Sequence, residues 1–144
     1  MDDFLEHASR AYGDLRKPGY AFFEEALRTR PWEPLVERLR QVMRVEDWTD
    51  REDDVSFSYV LDRSRHSEAW LLWLSAVGPF ALLVHAPAPA AEPMARSGVI
   101  TGVRLLSAEE VETTVDFAPA GGRFPASLFV LLFGDSDVPW WHAH

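Results

Sequence analysis

The sequence lacks cysteine, has a single lysine (Lys17) and contains no long uncharged apolar run. Without cysteine, the chain cannot form disulfides, thiolate nucleophiles or cysteine-ligated zinc and iron–sulfur sites. No apolar run approaches the roughly 20 residues that span a bilayer. The first residues, Met1 to His7, lack the basic start and apolar core of a secretion signal. We therefore expect a cytoplasmic protein.

Positive charge is also scarce, because 14 basic residues face 23 acidic ones and the formal net charge is −9. Binding of nucleic acid or an anionic membrane requires clustered cations, so neither is expected as a partner. A basic protein partner fits this charge better.

Motifs for catalysis and for bound cofactors are missing as well. The chain has no Gly-x-Ser-x-Gly elbow, no Ser-x-x-Lys and no phosphate-binding glycine loop. Carboxylates such as Asp62, Glu68 and Asp116 are scattered, and no spacing selects an acid–base pair. His142 and His144 share a spacing of two, but two ligands do not make a metal site. The sequence leans against an enzyme without excluding one, and we expect no metal and no other cofactor.

Three β-type segments separated by turn signals form the clearest pattern in the chain. Residues 55–61 alternate in polarity like a half-buried strand, whereas residues 69–74 and 80–84 are apolar on both faces. This pattern predicts an antiparallel meander whose central strands are covered on both sides.

Helical patterns precede these strands. We predict helices over residues 2–15, with Phe4, Ala8, Tyr12 and Leu15 on one stripe, over residues 20–29, and from about Glu33 to about Val45. In the third helix the predicted buried positions are Leu35, Leu39, Val42 and Met43.

The second half of the chain carries weaker signals. Residues 87–96 are rich in alanine and proline, which predicts an extended loop. We predict a strand over 99–106, one helical turn leading into a strand over 107–117, a turn at 119–122 and a final strand over 128–133. Trp140 and Trp141 are expected to pack rather than to be exposed. The element order predicts one α+β domain over residues 1–144, with the N-terminal helices on one face of a mainly antiparallel sheet of five or six strands.

Residues 46–54 hold the densest charge, with six acids and one arginine around one tryptophan. Such a run is often only a solvated connection. It also suits a docking surface in which a tryptophan anchors a basic partner. The candidate partner-binding residues are Asp47, Trp48, Asp50, Glu52, Asp53 and Asp54. The sequence thus favours a small acidic inhibitor of a basic protein, comparable to an immunity protein that neutralises a bacterial toxin.

Two alternatives remain open. A bent sheet lined by aromatic residues can hold a small apolar ligand. The candidate residues for such a pocket are Phe57, Tyr59, Trp73 and His85. A homodimer is also possible, through an apolar edge strand or through the Trp140–Trp141 tail.

Overall fold

The computed structural model describes residues 2–49, 55–62, 69–85, 100, 102–119 and 125–134. Their helices are α1 (Asp2–Tyr12), α2 (Ala21–Thr29), α3 (Glu33–Arg40), α4 (Ala108–Val111) and α5 (Leu128–Leu132). Their strands are β1 (Gly13–Asp14), β2 (Lys17–Pro18), β3 (Arg44–Asp47), β4 (Ser56–Asp62), β5 (Ala69–Ser75), β6 (Phe80–His85), β7 (Arg104–Leu105), β8 (Thr114–Val115) and β9 (Ala126–Ser127). No helix among these residues is long and apolar enough to cross a membrane.

The main sheet has five strands in the order β3-β4-β5-β6-β7. Strands β3 to β6 pair antiparallel, and β7 pairs parallel with β6. The predicted α+β class and the meander of β4, β5 and β6 are therefore confirmed. The short pairs β1–β2 and β8–β9 form two separate ribbons.

Both faces of the sheet carry apolar side chains, because successive residues of a strand point to opposite sides. The first face packs Phe57, Tyr59 and Leu72 against α2 and α3, chiefly through Leu35 and Leu39. The second face packs Phe80, Leu82 and Val84 of β6 against α1 and α5. The three N-terminal helices thus divide between the two faces, which corrects the prediction that all of them pack on one face.

The ends of the helices differ from the pattern-based prediction. Helix α1 ends at Tyr12, because Gly13 takes a φ of +82° that breaks the helix and begins the β1–β2 ribbon. Helix α3 ends at Arg40 and not near Val45. The chain then forms β3, an edge strand that the helical pattern concealed, and Val42 is 56% exposed instead of buried.

The predicted final strand over 128–133 is wrong, because these residues form helix α5. All five helical residues are buried. A helix that is surrounded by protein shows no amphipathic period, so its sequence resembles that of a buried strand. Ser127 caps the helix by accepting a hydrogen bond from the backbone N–H of Val130.

Buried hydroxyl groups satisfy the C-terminal carbonyls of α5, which have no partner within the helix. Tyr12 donates to the Leu131 carbonyl at 2.6 Å, and Ser75 donates to the Leu132 carbonyl at 2.6 Å. Ser56 donates to the Phe133 carbonyl, which also accepts from the backbone N–H of Val55 at 3.2 Å. These bonds explain why two serines are buried in the central strands.

Residues 107–117 follow the prediction of one helical turn and then a strand. Ser107 and Glu110 form a reciprocal capping box at the start of α4, and β8 follows at Thr114. Of the predicted strand over 99–106, only Arg104 and Leu105 form a described strand. The loop 87–96, most of the turn 119–122 and Trp140 and Trp141 lie outside the described residues.

Candidate protein-binding surface

An apolar groove lies on the second face of the sheet, over strands β4 and β5 and beside Trp48, which follows β3. The register places Ser58 opposite Trp73 and Val60 opposite Leu71, and both pairs point to this face. Glu46 is opposite Val60, so it shares the same face. The groove has a volume of about 200 Å³ and is lined by Trp48, Ser58, Tyr59, Val60, Leu71, Leu72 and Trp73.

Burial decreases across this face from β6 to β3. Leu82 on β6 is buried, whereas Trp73 on β5 and Val60 on β4 are half-buried. Phe129 of α5 packs edge-on against Trp73, with ring centroids 5.9 Å apart. Trp48, just past β3, is 61% exposed. The groove therefore opens to solvent beside an exposed tryptophan.

The backbone around Trp48 is held firmly although its ring is exposed. The Trp48 N–H donates to the Ser58 carbonyl at 2.8 Å, and the Ser58 hydroxyl donates to the Trp48 carbonyl at 2.9 Å. The Ser58 N–H donates to the Thr49 hydroxyl at 3.1 Å. These bonds continue the pairing of β3 with β4 and fix the backbone from which the Trp48 ring projects. Such preorganisation lowers the entropy cost of binding.

Asp47 points to the opposite face, because it neighbours Trp48 and successive residues of an extended chain point to opposite sides. Its carboxylate lies 3.4 Å from the Arg30 guanidinium and accepts from the Thr49 N–H at 2.9 Å. Burial raises the pKa of Asp47, but hydrogen bonds from Thr49 and the Arg30 charge outweigh this effect and hold it below its ordinary value.

Arg30 links Asp47 to the helices. It occupies the left-handed region with φ 52° just after α2, and its guanidinium lies 3.7 Å from Glu33 and 5.6 Å from the centroid of the Phe57 ring. Asp47 therefore has a structural partner already, and this gives it a role in attaching β3 to α2 and α3.

The sequence-based binding residues are only partly described. Asp50, Glu52, Asp53 and Asp54 lie outside the described residues. Trp48 is exposed as a binding residue requires, and Glu46 is an exposed acid beside it. Sequence reasoning did not select Ser58, Val60 or Leu71. The alternation of residues 55–61 signals which residues share a face, but the pairing register is needed to bring them to Trp48.

Of the residues predicted to line a ligand pocket, Tyr59 and Trp73 both line the groove, whereas Phe57 does not. Phe57 and Tyr59 are buried on the face covered by α2 and α3, while Trp73 points to the opposite face. Burial is the main cause that raises the pKa of Tyr59 to about 12. His85 ends β6 opposite Trp70, and its side chain lies outside the described residues.

The described ranges contain no group of three or more histidine, aspartate or glutamate residues placed to hold a metal ion. His7 is instead in edge-to-face contact with Phe80, with ring centroids 5.2 Å apart. The described histidine of α1 thus packs against an apolar side chain.

No protein-family model, curated protein or solved structure matches this chain. Any function proposed for it therefore depends on the chemistry of its own surface. The feature that distinguishes this surface is an oriented, exposed tryptophan at the rim of an apolar groove.

Proposed function

We propose that this chain is a small acidic cytoplasmic protein that binds and neutralises a basic protein partner, as an immunity protein neutralises a bacterial toxin. The partner docks over the surface formed by Glu46, Trp48, Ser58, Val60, Leu71 and Trp73, called here the Trp48 surface. The observation that carries this proposal is the 61% exposure of Trp48 beside the groove.

The composition of the Trp48 surface supports a protein partner. Tryptophan is among the residues that contribute most to protein interfaces, above all beside apolar pockets. Trp73 and Leu71 supply such an apolar floor. Desolvation of a tryptophan on this floor provides binding energy, while the acidic residues of the adjoining segment 46–54 steer a basic partner.

The size of the groove favours a protein side chain over a free ligand. Small-molecule sites usually occupy about 300 to 1,000 Å³ and enclose most of the ligand. A groove of about 200 Å³ that opens to solvent is smaller than this range. It can receive one or two side chains of a docked protein. The net charge of −9 makes a basic protein the best complement.

Affinity capture with matched variants tests this proposal. The tagged chain, Trp48→Ala and Val42→Ala are used as baits in lysate of the host, and retained proteins are identified by mass spectrometry. Val42 is the matched control, because it is also an exposed apolar residue (56%) and does not line the groove. A purified partner should bind Trp48→Ala at least about 30-fold more weakly, which corresponds to roughly 2 kcal/mol, and bind Val42→Ala normally.

Two further measurements examine charge and neutralisation. Reversal of Asp50, Glu52 and Asp53 to lysine should reduce the association rate and its dependence on salt. Expression of the captured protein alone should arrest growth, and co-expression of the chain should restore it. Equal binding by wild type and Trp48→Ala would contradict the proposed surface. Capture of a partner without toxicity would contradict the neutralising role.

A further inference from the structure

Strand β3 is an end strand of the main sheet, with β4 as its described neighbour. The Trp48 N–H points toward β4, since it donates to the Ser58 carbonyl. Backbone groups alternate in direction along an antiparallel strand, so those of Arg44 and Glu46 also point toward β4. The N–H and carbonyl groups of Val45 and Asp47 therefore point outward, where an added strand can bond them.

The residues on the two sides of Val45 carry opposite charges, so this segment is complementary to an antiparallel copy of itself. Arg44 and Glu46, both exposed, are one position before and one position after Val45. A twofold axis at Val45 thus exchanges the arginine of each copy with the glutamate of the other.

We infer that two copies of this chain pair their β3 strands antiparallel about a twofold axis at Val45. Each Arg44 then faces Glu46 of the other copy across the new strand pair. The two Val45 residues exchange both backbone hydrogen bonds, with their Cα atoms about 5.5 Å apart. This is an isologous interface, in which the same patch serves both copies.

Charge selects this register over its neighbours. Only every second residue of β3 turns its backbone groups outward, so the two strands can shift past each other only in steps of two residues. Each such step moves the twofold axis by one residue. An axis at Glu46 places the two Glu46 side chains opposite each other, and an axis at Arg44 does the same for the two arginines. An axis at Asp47 opposes two aspartates. Like charges directly opposite each other destabilise a strand pair, whereas opposite charges stabilise it.

The pairing joins two five-stranded sheets into one continuous sheet. The axis is perpendicular to that sheet, so both Trp48 surfaces lie on the same side of it. A dimeric partner, or a partner with two basic segments, then meets two grooves at a fixed spacing. The dimer itself does not depend on the proposed function, because its contacts involve only copies of this chain.

Charge exchange at Arg44 and Glu46 tests the inference by sedimentation equilibrium. The wild-type mass should rise from 16.4 kDa toward twice this value across about two decades of protein concentration. Arg44→Glu and Glu46→Arg should each weaken dimerisation at least tenfold, because each variant opposes like charges at two places. Circular dichroism confirms that both exposed substitutions leave the fold intact.

Mixing these two variants provides the decisive measurement. Arg44→Glu carries glutamate at positions 44 and 46, and Glu46→Arg carries arginine at both. The mixture should therefore form a 1:1 dimer that is tighter than the dimer of either variant alone. The double variant Arg44→Glu/Glu46→Arg should recover wild-type dimerisation. A wild-type mass that stays at 16.4 kDa overturns the inference. Undiminished dimerisation of the single variants overturns it too, because the interface then lies elsewhere.

Discussion

Replacement of Ser75 by alanine removes two hydrogen bonds, one of them to the C-terminal end of α5, and leaves both of their other partners buried. The Ser75 hydroxyl donates to the Leu132 carbonyl at 2.6 Å and accepts from the Val77 N–H at 3.0 Å. Ser75 is 1% exposed, so water does not replace the lost hydroxyl. An unsatisfied buried polar group costs about 1 to 3 kcal/mol. We expect Ser75→Ala to lower the free energy of unfolding by about 2 to 4 kcal/mol.

Urea denaturation followed by tryptophan fluorescence measures this loss, with Ser58→Ala as the matched control. Ser58 is a half-buried serine of the same sheet, and its hydroxyl donates to the Trp48 carbonyl at 2.9 Å. Solvent can compensate there, so Ser58→Ala should cost less than about 1 kcal/mol. The slope of unfolding free energy against urea should be equal for the two variants. Equal stabilities of the variants would refute the reasoning, because the buried carbonyl would then have another donor.

Three further predictions concern the packing of the core and the loss of stability at acidic pH. Gly78→Ala should cost about 1 to 3 kcal/mol in thermal or urea unfolding, since its Cβ would lie 2.8 Å from Cε2 of Phe80; no loss would mean that the ring moves away freely. Leu39→Ala should cost about 2 to 5 kcal/mol because Leu39 is 0% exposed, whereas Val42→Ala should change stability by less than about 0.5 kcal/mol; similar losses would contradict the assigned faces. The pKa of Asp47 is lower in the folded state, so its stabilisation is present above about pH 4 and is lost as pH falls through the folded pKa. The stability difference between wild type and Asp47→Asn should therefore shrink in urea unfolding below about pH 4, and a difference independent of pH would contradict this.

Local patterns predicted the central meander closely. Strands β4, β5 and β6 begin within one residue of the predicted starts, because their β-rich runs are separated by polar or glycine–proline turns. Phe4, Ala8 and Tyr12 of the predicted stripe lie on α1 and are buried, whereas Leu15 follows the end of the helix. These features depend on periodicity within one segment, which a sequence displays directly.

Features that depend on tertiary contacts were predicted less well. Residues 128–133 were assigned to a strand, since a fully buried apolar run does not reveal its period. The cap at Ser127 was the signal that identifies the helix. Val42 continued the helical stripe of α3 although the chain had already turned toward β3. No local pattern indicates that β3 becomes an edge strand, because strand order is set by pairing across the sheet.

The predicted site residues also differ in whether a local pattern or a tertiary contact decides their position. Trp48 was identified from its acidic surroundings and is exposed. Phe57, Tyr59 and Trp73 were grouped because all are aromatic, yet the pleat separates the first two from the third. Asp47 resembled its acidic neighbours in the sequence, but Arg30, 17 positions away, gives it a structural partner.

The hydroxyl bonds to α5 have a consequence for the folding rate. Tyr12 bonds to a carbonyl 119 positions later, and Ser56 and Ser75 bond across 77 and 57 positions. Contacts between such distant positions require closure of long loops, which slows folding. We therefore expect the docking of α5 to limit the folding rate, because its bond to Tyr12 joins segments near opposite ends of the described chain.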